Sequence, residues 1–147
     1  MKIKLIYVAK KAPLALENLC HDYILRFQKE WHFQAICVRP TDKENEAKKI
    51  RELLPKKNFY LIALDERGQS FDSLQFSKFL KNLEEHQSQI IFLIGGSDGL
   101  APSIQQQSHF LLRLSDLTLP HALARLVLCE QIYRAYSLIN HLPYHRA

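Results

Sequence analysis

The sequence predicts an α/β fold with a mostly parallel sheet covered by helices on both faces. Short strand-like runs alternate along the whole chain with longer stretches of helical periodicity. Two of the later runs, residues 58–64 and 90–94, are almost entirely apolar, as expected of strands buried on both faces of a sheet. The 147 residues, 47% of them hydrophobic, are enough for a core of their own, so we expect a single domain over residues 1–147.

The first half of the chain predicts two strands and two helices. We expect strands at residues 2–9 and 32–39 and helices at residues 13–30 and 42–54. Both strand segments show alternation of polar and apolar residues, and Pro13 is well placed in a first helical turn. Thr41 or Asp42 can cap the second helix, which is polar on most faces and has one apolar seam.

The second half predicts three more strands and three more helices. We expect strands at residues 58–64, 90–94 and 110–114, and helices at residues 72–85, 102–107 and 121–140. Residues 65–68 predict a turn after the third strand, and Asp72 or Ser73 can cap the helix that follows. Thr118 is a possible cap for the last helix.

Charge and cysteine content narrow the class of protein. The net charge of +5 favours an anionic partner, of which nucleic acid is the most common. Cys20, Cys37 and Cys129 match no zinc or haem spacing, so we expect three small apolar core residues in a reducing compartment. The N-terminal residues do not resemble a secretory signal, and no run is long enough to span a membrane. We therefore expect a cytoplasmic protein without a membrane segment.

Three loops follow late strands at the sheet edge where parallel α/β folds bind ligands. They come after Leu64, at residues 95–99 and at residues 115–120. Gly95 and Gly96 allow close approach of a ligand to the backbone, although no phosphate-binding GK[ST] motif follows them. The loop at 115–120 can offer backbone groups to a flat heterocycle between leucines. Taken singly, residues 95–99 also suit a tight turn without a ligand, and residues 115–120 also suit the start of a helix.

The C-terminal residues combine three side chains that suit nucleic-acid chemistry. Arg146 can pair with phosphate, Tyr144 can stack on a base, and His145 can bind or move a proton. The alternative is a frayed terminus without a role. Glu130 and Arg134 stand four residues apart on the last helix, where a surface ion pair is the simplest interpretation.

Several motifs occur together along the chain. They are LDERG at 64–68, LIGGSDGL at 93–100, LSDLTLPHALAR at 114–125, EQIYRA at 130–135 and PYHR at 143–146. In these motifs, and over its whole length, the sequence resembles the ribosomal RNA large subunit methyltransferase H family of the SPOUT superfamily. The resemblance implies an α/β fold whose C-terminal segment threads through a loop to form a deep trefoil knot, an exception to the general absence of knots.

The resemblance also implies an activity and a site. It implies a homodimer that methylates N3 of a pseudouridine in 23S rRNA, with S-adenosylmethionine as methyl donor and no metal. The donor would be surrounded by Leu64, Gly95, Gly96, Leu114, Ser115, Asp116, Leu117, Thr118 and Leu119. Tyr144, His145 and Arg146 would face the target nucleotide across the dimer interface. His145 is then a candidate general base, and Arg146 or Arg134 a candidate for stabilising the anion of the target base.

Three alternatives remain open from the sequence. An enzyme of the same fold can act on tRNA, and only the motifs favour rRNA, presented to the enzyme by the assembled ribosome. A non-catalytic RNA-binding or ribosome-assembly protein with this fold would bind no donor. A flavodoxin-like nucleotide-binding module would use residues 95–99 for phosphate, although the phosphate motif is missing.

Overall fold

The computed structural model describes residues 1–87 and 89–146, and within them it contains one five-stranded sheet and five helices. The sheet order is β2-β1-β4-β3-β5, and all pairings between neighbouring strands are parallel. The elements are β1 (Lys2–Val8), α1 (Leu14–Phe27), β2 (His32–Val38), α2 (Lys43–Leu53), β3 (Tyr60–Ser70), α3 (Ser73–His86), β4 (Gln89–Ile94), α4 (Pro102–Gln107), β5 (Phe110–Arg113) and α5 (His121–Ile139). The predicted parallel α/β sheet is thereby confirmed.

Two apolar layers cover the two faces of the sheet, as predicted. Ile90 and Phe92 of the central strand β4 pack into a layer with α1, α3 and α5. Ile91 and Leu93 point to the opposite face and pack against α2 and α4. All four side chains are fully buried, which explains why this strand is apolar at every position rather than at every second one.

Side-chain caps begin α2 and α3. Asp42 accepts a hydrogen bond from the backbone N–H of Asn45 at 2.9 Å. Asp72 accepts from the N–H of Gln75 at 2.7 Å, and the Gln75 side chain accepts from the N–H of Asp72, which completes a capping box. Both caps were predicted. The cap predicted at Thr118 is wrong, because α5 begins directly after Pro120 without a side-chain cap.

The turn predicted at residues 65–68 is wrong, because β3 continues through it to Ser70. The pairing with β5 is irregular there, since Leu64 and Gln69 both align with Leu112. The backbones approach so closely that a Cβ on Gly68 would lie 2.5 Å from the carbonyl oxygen of Leu111. Glycine is therefore needed at position 68 because the two strands pack closely there. In the sequence alone, such a glycine looks the same as a glycine in a turn.

The cysteines differ in environment. Cys20 and Cys129 are buried between α1 and α5, whereas Cys37 is exposed on the edge strand β2. The prediction of a core residue is therefore wrong for Cys37, whose thiol donates to the Ala9 carbonyl at 3.3 Å. Across residues 1–87 and 89–146 no helix is long and apolar enough to cross a membrane. The order and pairing of the strands do not test whether the chain forms a trefoil knot or a single domain, so both stay predictions.

Candidate active site

A cleft of about 1200 Å³ opens where β3, β4 and β5 end. Because the strands are parallel, their carboxyl ends meet at one edge of the sheet, and the three loops expected to form a site meet there. Eight of the residues expected to surround a ligand line this cleft: Leu64, Gly95, Gly96, Leu114, Ser115, Leu117, Thr118 and Leu119. Asp116 does not line it, and its largely exposed carboxylate pairs with Arg113 at 3.2 Å.

The glycine turn after β4 shapes one wall of the cleft through its backbone. The N–H of Gly99 donates to the carbonyl of Gly96 at 3.0 Å, and Gly99 has a φ of 76°. A Cβ on Gly95 would lie 2.7 Å from the carbonyl carbon of Gly99 and 2.8 Å from the nitrogen of Leu100. No side chain fits at Gly95 unless the turn opens, so this position sets the shape of the wall.

The loop between β5 and α5 lines another part of the cleft. The Ser115 hydroxyl accepts a hydrogen bond from the N–H of Leu117 at 3.0 Å, which folds the loop back on itself. Leu117 is 77% exposed at the mouth of the cleft, an unusual position for a large apolar side chain. The loop can therefore place an apolar cover over a flat ligand.

Two polar groups of the cleft can recognise a ligand. Asp65 accepts hydrogen bonds from the N–H of Arg67 at 2.8 Å and from the amide of Gln105 at 2.6 Å. Burial alone would raise the pKa of Asp65, but the hydrogen bonds from Arg67 outweigh it and lower that pKa. The Nε of Arg113 is buried and has no acceptor among the described residues. The cleft thus contains an ionised acceptor in Asp65, a donor in Arg113 that lacks a partner within residues 1–87 and 89–146, and apolar walls of leucine. These groups suit a ligand that has a flat apolar part and hydroxyl groups, such as S-adenosylmethionine.

A second cluster lies at the other end of α5, where the chain reverses direction. The N–H of Leu142 donates to the carbonyl of Ser137 at 2.8 Å, and the N–H of His141 to that of Leu138 at 3.3 Å. His141 has a φ of 56°, so these contacts form a Schellman motif with histidine at the position that glycine usually occupies. The reversal folds the C-terminal residues back against α5.

We call the cluster formed by Glu130, Arg134, Tyr144 and His145 the C-terminal network. Glu130 Oε1 accepts hydrogen bonds from Arg134 Nη2 at 2.6 Å, from Arg134 Nε at 3.1 Å and from the Tyr144 hydroxyl at 3.0 Å. Arg134 Nη1 lies 3.2 Å from His145 Nδ1. Arg134 therefore joins the carboxylate to the imidazole.

Aromatic contacts hold Tyr144 in this network. Its ring packs edge-on against Tyr133, with 4.6 Å between the ring centroids, and the Arg134 guanidinium lies 4.9 Å from its centroid. Burial, and then hydrogen bonds that involve Tyr23 and Glu130, raise the pKa of Tyr144, so its phenol stays neutral at physiological pH. Arg146, the remaining expected tail residue, is exposed.

The cleft and the C-terminal network are separate within one chain. His121 lines the cleft at the first residue of α5, and the helix from there to Arg134 is about 20 Å long. The structure thus brings together the residues expected around the donor and, separately, Arg134, Tyr144 and His145, but it does not bring the two groups into contact within one chain.

Three residues that contribute to the two regions were not predicted from the sequence as site residues: Glu130, Gln105 and Arg113. Glu130 was interpreted as half of a surface ion pair, yet it accepts hydrogen bonds from three side chains. Gln105 and Arg113 had no distinguishing pattern at all. The signals for Glu130 were its four-residue spacing from Arg134 and its place in the EQIYRA motif, and neither indicates the contact with Tyr144, which depends on the chain reversal. In residues 1–87 and 89–146 no group of His, Cys, Asp and Glu side chains could hold a metal ion.

Comparisons of sequence place the chain among known proteins. A family model described as "Predicted SPOUT methyltransferase" matches residues 1–145. The chain is 35% identical over 159 residues to a ribosomal RNA large subunit methyltransferase H from Cupriavidus metallidurans, with all of both chains covered. It is also 35% identical over 156 residues to the protein of the same name from Methylobacillus flagellatus, with 99% of each chain covered.

Comparisons of structure agree at the level of the fold. A probable methylase family protein from Haemophilus influenzae matches 99% of this chain and 70% of its own, with a TM-score of 0.60 and 14% identity. A probable methyltransferase from Bordetella pertussis matches 90% of this chain and 93% of its own, with a TM-score of 0.59 and 12% identity.

Proposed function

The chain belongs to the SPOUT methyltransferase family, and from this premise we propose that it methylates large-subunit rRNA with S-adenosylmethionine as donor. The target atom is N3 of a pseudouridine in 23S rRNA, presented by the assembled ribosome in the cytoplasm. The name of the full-length relatives supports the rRNA substrate, and the resemblance of the motifs supports the target atom. The observation that carries the proposal is the cleft at the ends of β3, β4 and β5.

The cleft suits the donor in shape and chemistry. Its leucines, including Leu114 and Leu119, can enclose an adenine, while the backbone of the glycine turn permits close approach. The ionised Asp65 can accept hydrogen bonds from ribose hydroxyls. In this family the loop that encloses the donor is part of a trefoil knot, which we propose for residues 95–120 and α5 of this chain.

The chemistry requires positioning and control of one proton. When bound, S-adenosylmethionine supplies an activated methyl group that passes from the sulfonium to the attacking nitrogen, leaving a thioether. The target nitrogen is an imide N–H, which must lose its proton before or during attack. A guanidinium at the target base, from Arg146 or Arg134, stabilises the resulting anion, and the Tyr144 ring can stack on the base.

A homodimer reconciles this chemistry with the separation of about 20 Å between the cleft and the C-terminal network. We propose that the C-terminal residues of one subunit reach the cleft of the other. Large apolar side chains on the surface of α1, α5 and the tail support pairing, since Leu14 is 75% exposed, Leu123 43% and Leu142 42%. The net charge of +5 per chain, doubled in a dimer, favours binding to RNA phosphates.

One assay tests the substrate. The protein is incubated with labelled donor and, separately, with tRNA, free rRNA, ribosomal subunits and intact ribosomes, and the modified nucleotide is then mapped. We expect label at a 23S rRNA pseudouridine in ribosomes. Label in tRNA would contradict the rRNA assignment, and absence of donor binding in calorimetry would favour a non-catalytic RNA-binding protein.

A second assay tests the dimer. Gly95→Val weakens donor binding in the cleft and Arg134→Ala damages the C-terminal network. At a donor concentration that fills the wild-type cleft but not the Gly95→Val cleft, each homodimer should therefore have little activity. A mixed dimer has one site in which both parts are intact if the tail acts across the interface, so the purified mixed dimer should regain about half of the wild-type activity. If both parts of a site come from one chain, each active centre in the mixed dimer carries a defect and mixing restores nothing.

A further inference from the structure

Glu130 is fixed on both of its carboxylate oxygens. While Oε1 accepts from Arg134 and Tyr144, Oε2 accepts from Gln131 Nε2 at 2.7 Å. The side-chain amide oxygen Oε1 of Gln131 in turn accepts from the Ser73 hydroxyl, at the start of α3, at 2.8 Å. The Glu130 side chain is about four-fifths buried, so these hydrogen bonds are shielded from water more than those of a surface pair. The carboxylate therefore has a defined position, anchored to the scaffold through α3.

Arg134, held by Glu130, contacts the His145 imidazole. This contact determines which ring nitrogen of His145 carries the proton. A guanidinium carries only N–H donors and no acceptor. The contact of 3.2 Å between Arg134 Nη1 and His145 Nδ1 is a hydrogen bond only if Nδ1 presents its lone pair. A neutral imidazole whose Nδ1 accepts a hydrogen bond carries its proton on Nε2.

We propose that Glu130 is a positioning residue that, through Arg134, holds His145 as the neutral tautomer with its proton on Nε2. His145 then meets the target base as a hydrogen-bond donor rather than as the general base that the sequence suggested. The inference rests on the proposed function and specifies the role of one residue in it.

A donor suits the charge that develops on the target base. Loss of the imide proton spreads negative charge from the nitrogen onto the flanking carbonyl oxygens. A hydrogen bond from His145 Nε2–H to one of these oxygens is stronger to the anion than to the neutral base, so it favours the attacking form. The imide proton passes to solvent water, and His145 keeps the same number of protons throughout.

The first test observes the tautomer without any reaction. The intact protein is labelled with ¹⁵N-histidine, and the ring nitrogens of His145 are assigned by comparison with His145→Gln. At neutral pH we expect an unprotonated Nδ1 and a protonated Nε2. Glu130→Gln should shift the ring toward a mixture of tautomers. The control Glu17→Gln weakens the ion pair with Arg125, also on α5, and should leave the His145 signals unchanged. A proton on Nδ1 in the wild-type protein, or a spectrum that Glu130→Gln leaves unaltered, would overturn the proposal.

The second test separates a hydrogen-bond donor from a base by activity. Glutamine places an amide N–H₂ near the position of Nε2 and cannot act as a base, whereas asparagine places its amide near Nδ1. We expect His145→Gln to keep kcat within about tenfold of wild type, and His145→Ala and His145→Asn to lose roughly 100-fold, all with unchanged donor affinity. Equal loss in His145→Gln and His145→Ala would contradict the donor role. Wild-type protein without activity on ribosomes would instead refute the proposed function, and the tautomer measurement would still stand.

Discussion

The cleft and the C-terminal network lie toward opposite ends of α5 and are built in different ways. Backbone forms much of the cleft, through the glycine turn at residues 95–99 and the loop at residues 115–120. The network consists of side chains, with Glu130 as the common acceptor. A backbone site tolerates many sequences as long as the turn can close, whereas a hydrogen-bonded side-chain site loses its geometry when one member changes.

The two regions should also differ in what they control. The cleft has the size and the apolar walls of a binding site, while the network holds a guanidinium and an imidazole that can act on a substrate. We expect changes in the cleft to alter donor affinity and changes in the network to alter turnover. Four predictions test this division, in order of decreasing effect.

Arg134→Ala should have the largest effect and should appear in turnover alone. The substitution removes the link between Glu130 and His145, together with a positive charge that we propose lies near the target base. We expect kcat to fall roughly 100- to 1000-fold, the range for loss of one group that stabilises developing charge. Donor affinity, measured by calorimetry, should stay within twofold. A similar loss of donor affinity would contradict the assignment of donor binding to the cleft and of turnover to the C-terminal network.

Gly95→Val should impair donor binding rather than the chemistry of bound donor. Its Cβ would collide with the backbone of Gly99 and Leu100, which forces the turn open. Overpacking of this kind costs about 1–3 kcal/mol, so the dissociation constant should rise about 10- to 100-fold. Ala35→Val is the matched control, because it adds a side chain of the same kind at an exposed position of the edge strand β2, away from the cleft. Similar donor affinities for wild type and Gly95→Val would show that the glycine turn is not part of the donor-binding site.

Arg125→Leu should weaken the whole domain instead of either region. The buried Arg125 pairs with Glu17 on α1 and lies 4.2 Å from the centroid of the Tyr7 ring, so it ties α5 to the rest of the fold. Because Glu17 is partly exposed, we expect a loss of about 2 kcal/mol, below that of a fully buried pair. Urea unfolding measures it, with the exposed Arg39→Leu as control. An unchanged midpoint would show that α5 is held by apolar packing alone.

Asp65→Asn should have the smallest effect on stability, and that effect should depend on pH. The pKa of Asp65 is lowered in the folded protein, so its carboxylate stabilises the fold above the pKa of about 3.9 that it has when unfolded. That contribution disappears as the pH falls through the lowered folded value. Urea unfolding curves of wild type and Asp65→Asn should therefore differ at pH 7 and converge below about pH 4. A constant difference at all pH values would assign the effect to packing.

Much of the fold could be predicted because its signals are local. Apolar periodicity located all five strands, and the caps at Asp42 and Asp72 mark helix starts by residue type. The extension of β3 could not be predicted, since the reason for Gly68 is a neighbouring strand far along the chain. The exposure of Cys37 likewise depends on β2 being at the edge of the sheet, which local sequence does not encode.

The same distinction applies to the candidate site. The cleft loops could be located because parallel strands bring all their carboxyl ends to one edge. The C-terminal network could not be derived from spacing, because it depends on a helix terminus with His141 in a left-handed conformation rather than the usual glycine. The residue types of the tail and the resemblance to known methyltransferases both marked it as a candidate site, but nothing in the sequence indicates that Tyr144 returns to Glu130.

The exposure of Leu117 at the mouth of the cleft has a thermodynamic consequence. A ligand that seats beneath this side chain removes its isobutyl group from water along with the leucines of the walls. Burial of apolar surface lowers the heat capacity of the complex relative to its free components. The enthalpy of association should then become more favourable as the temperature rises, and Leu117→Ala should flatten that slope even where affinity at a single temperature changes little.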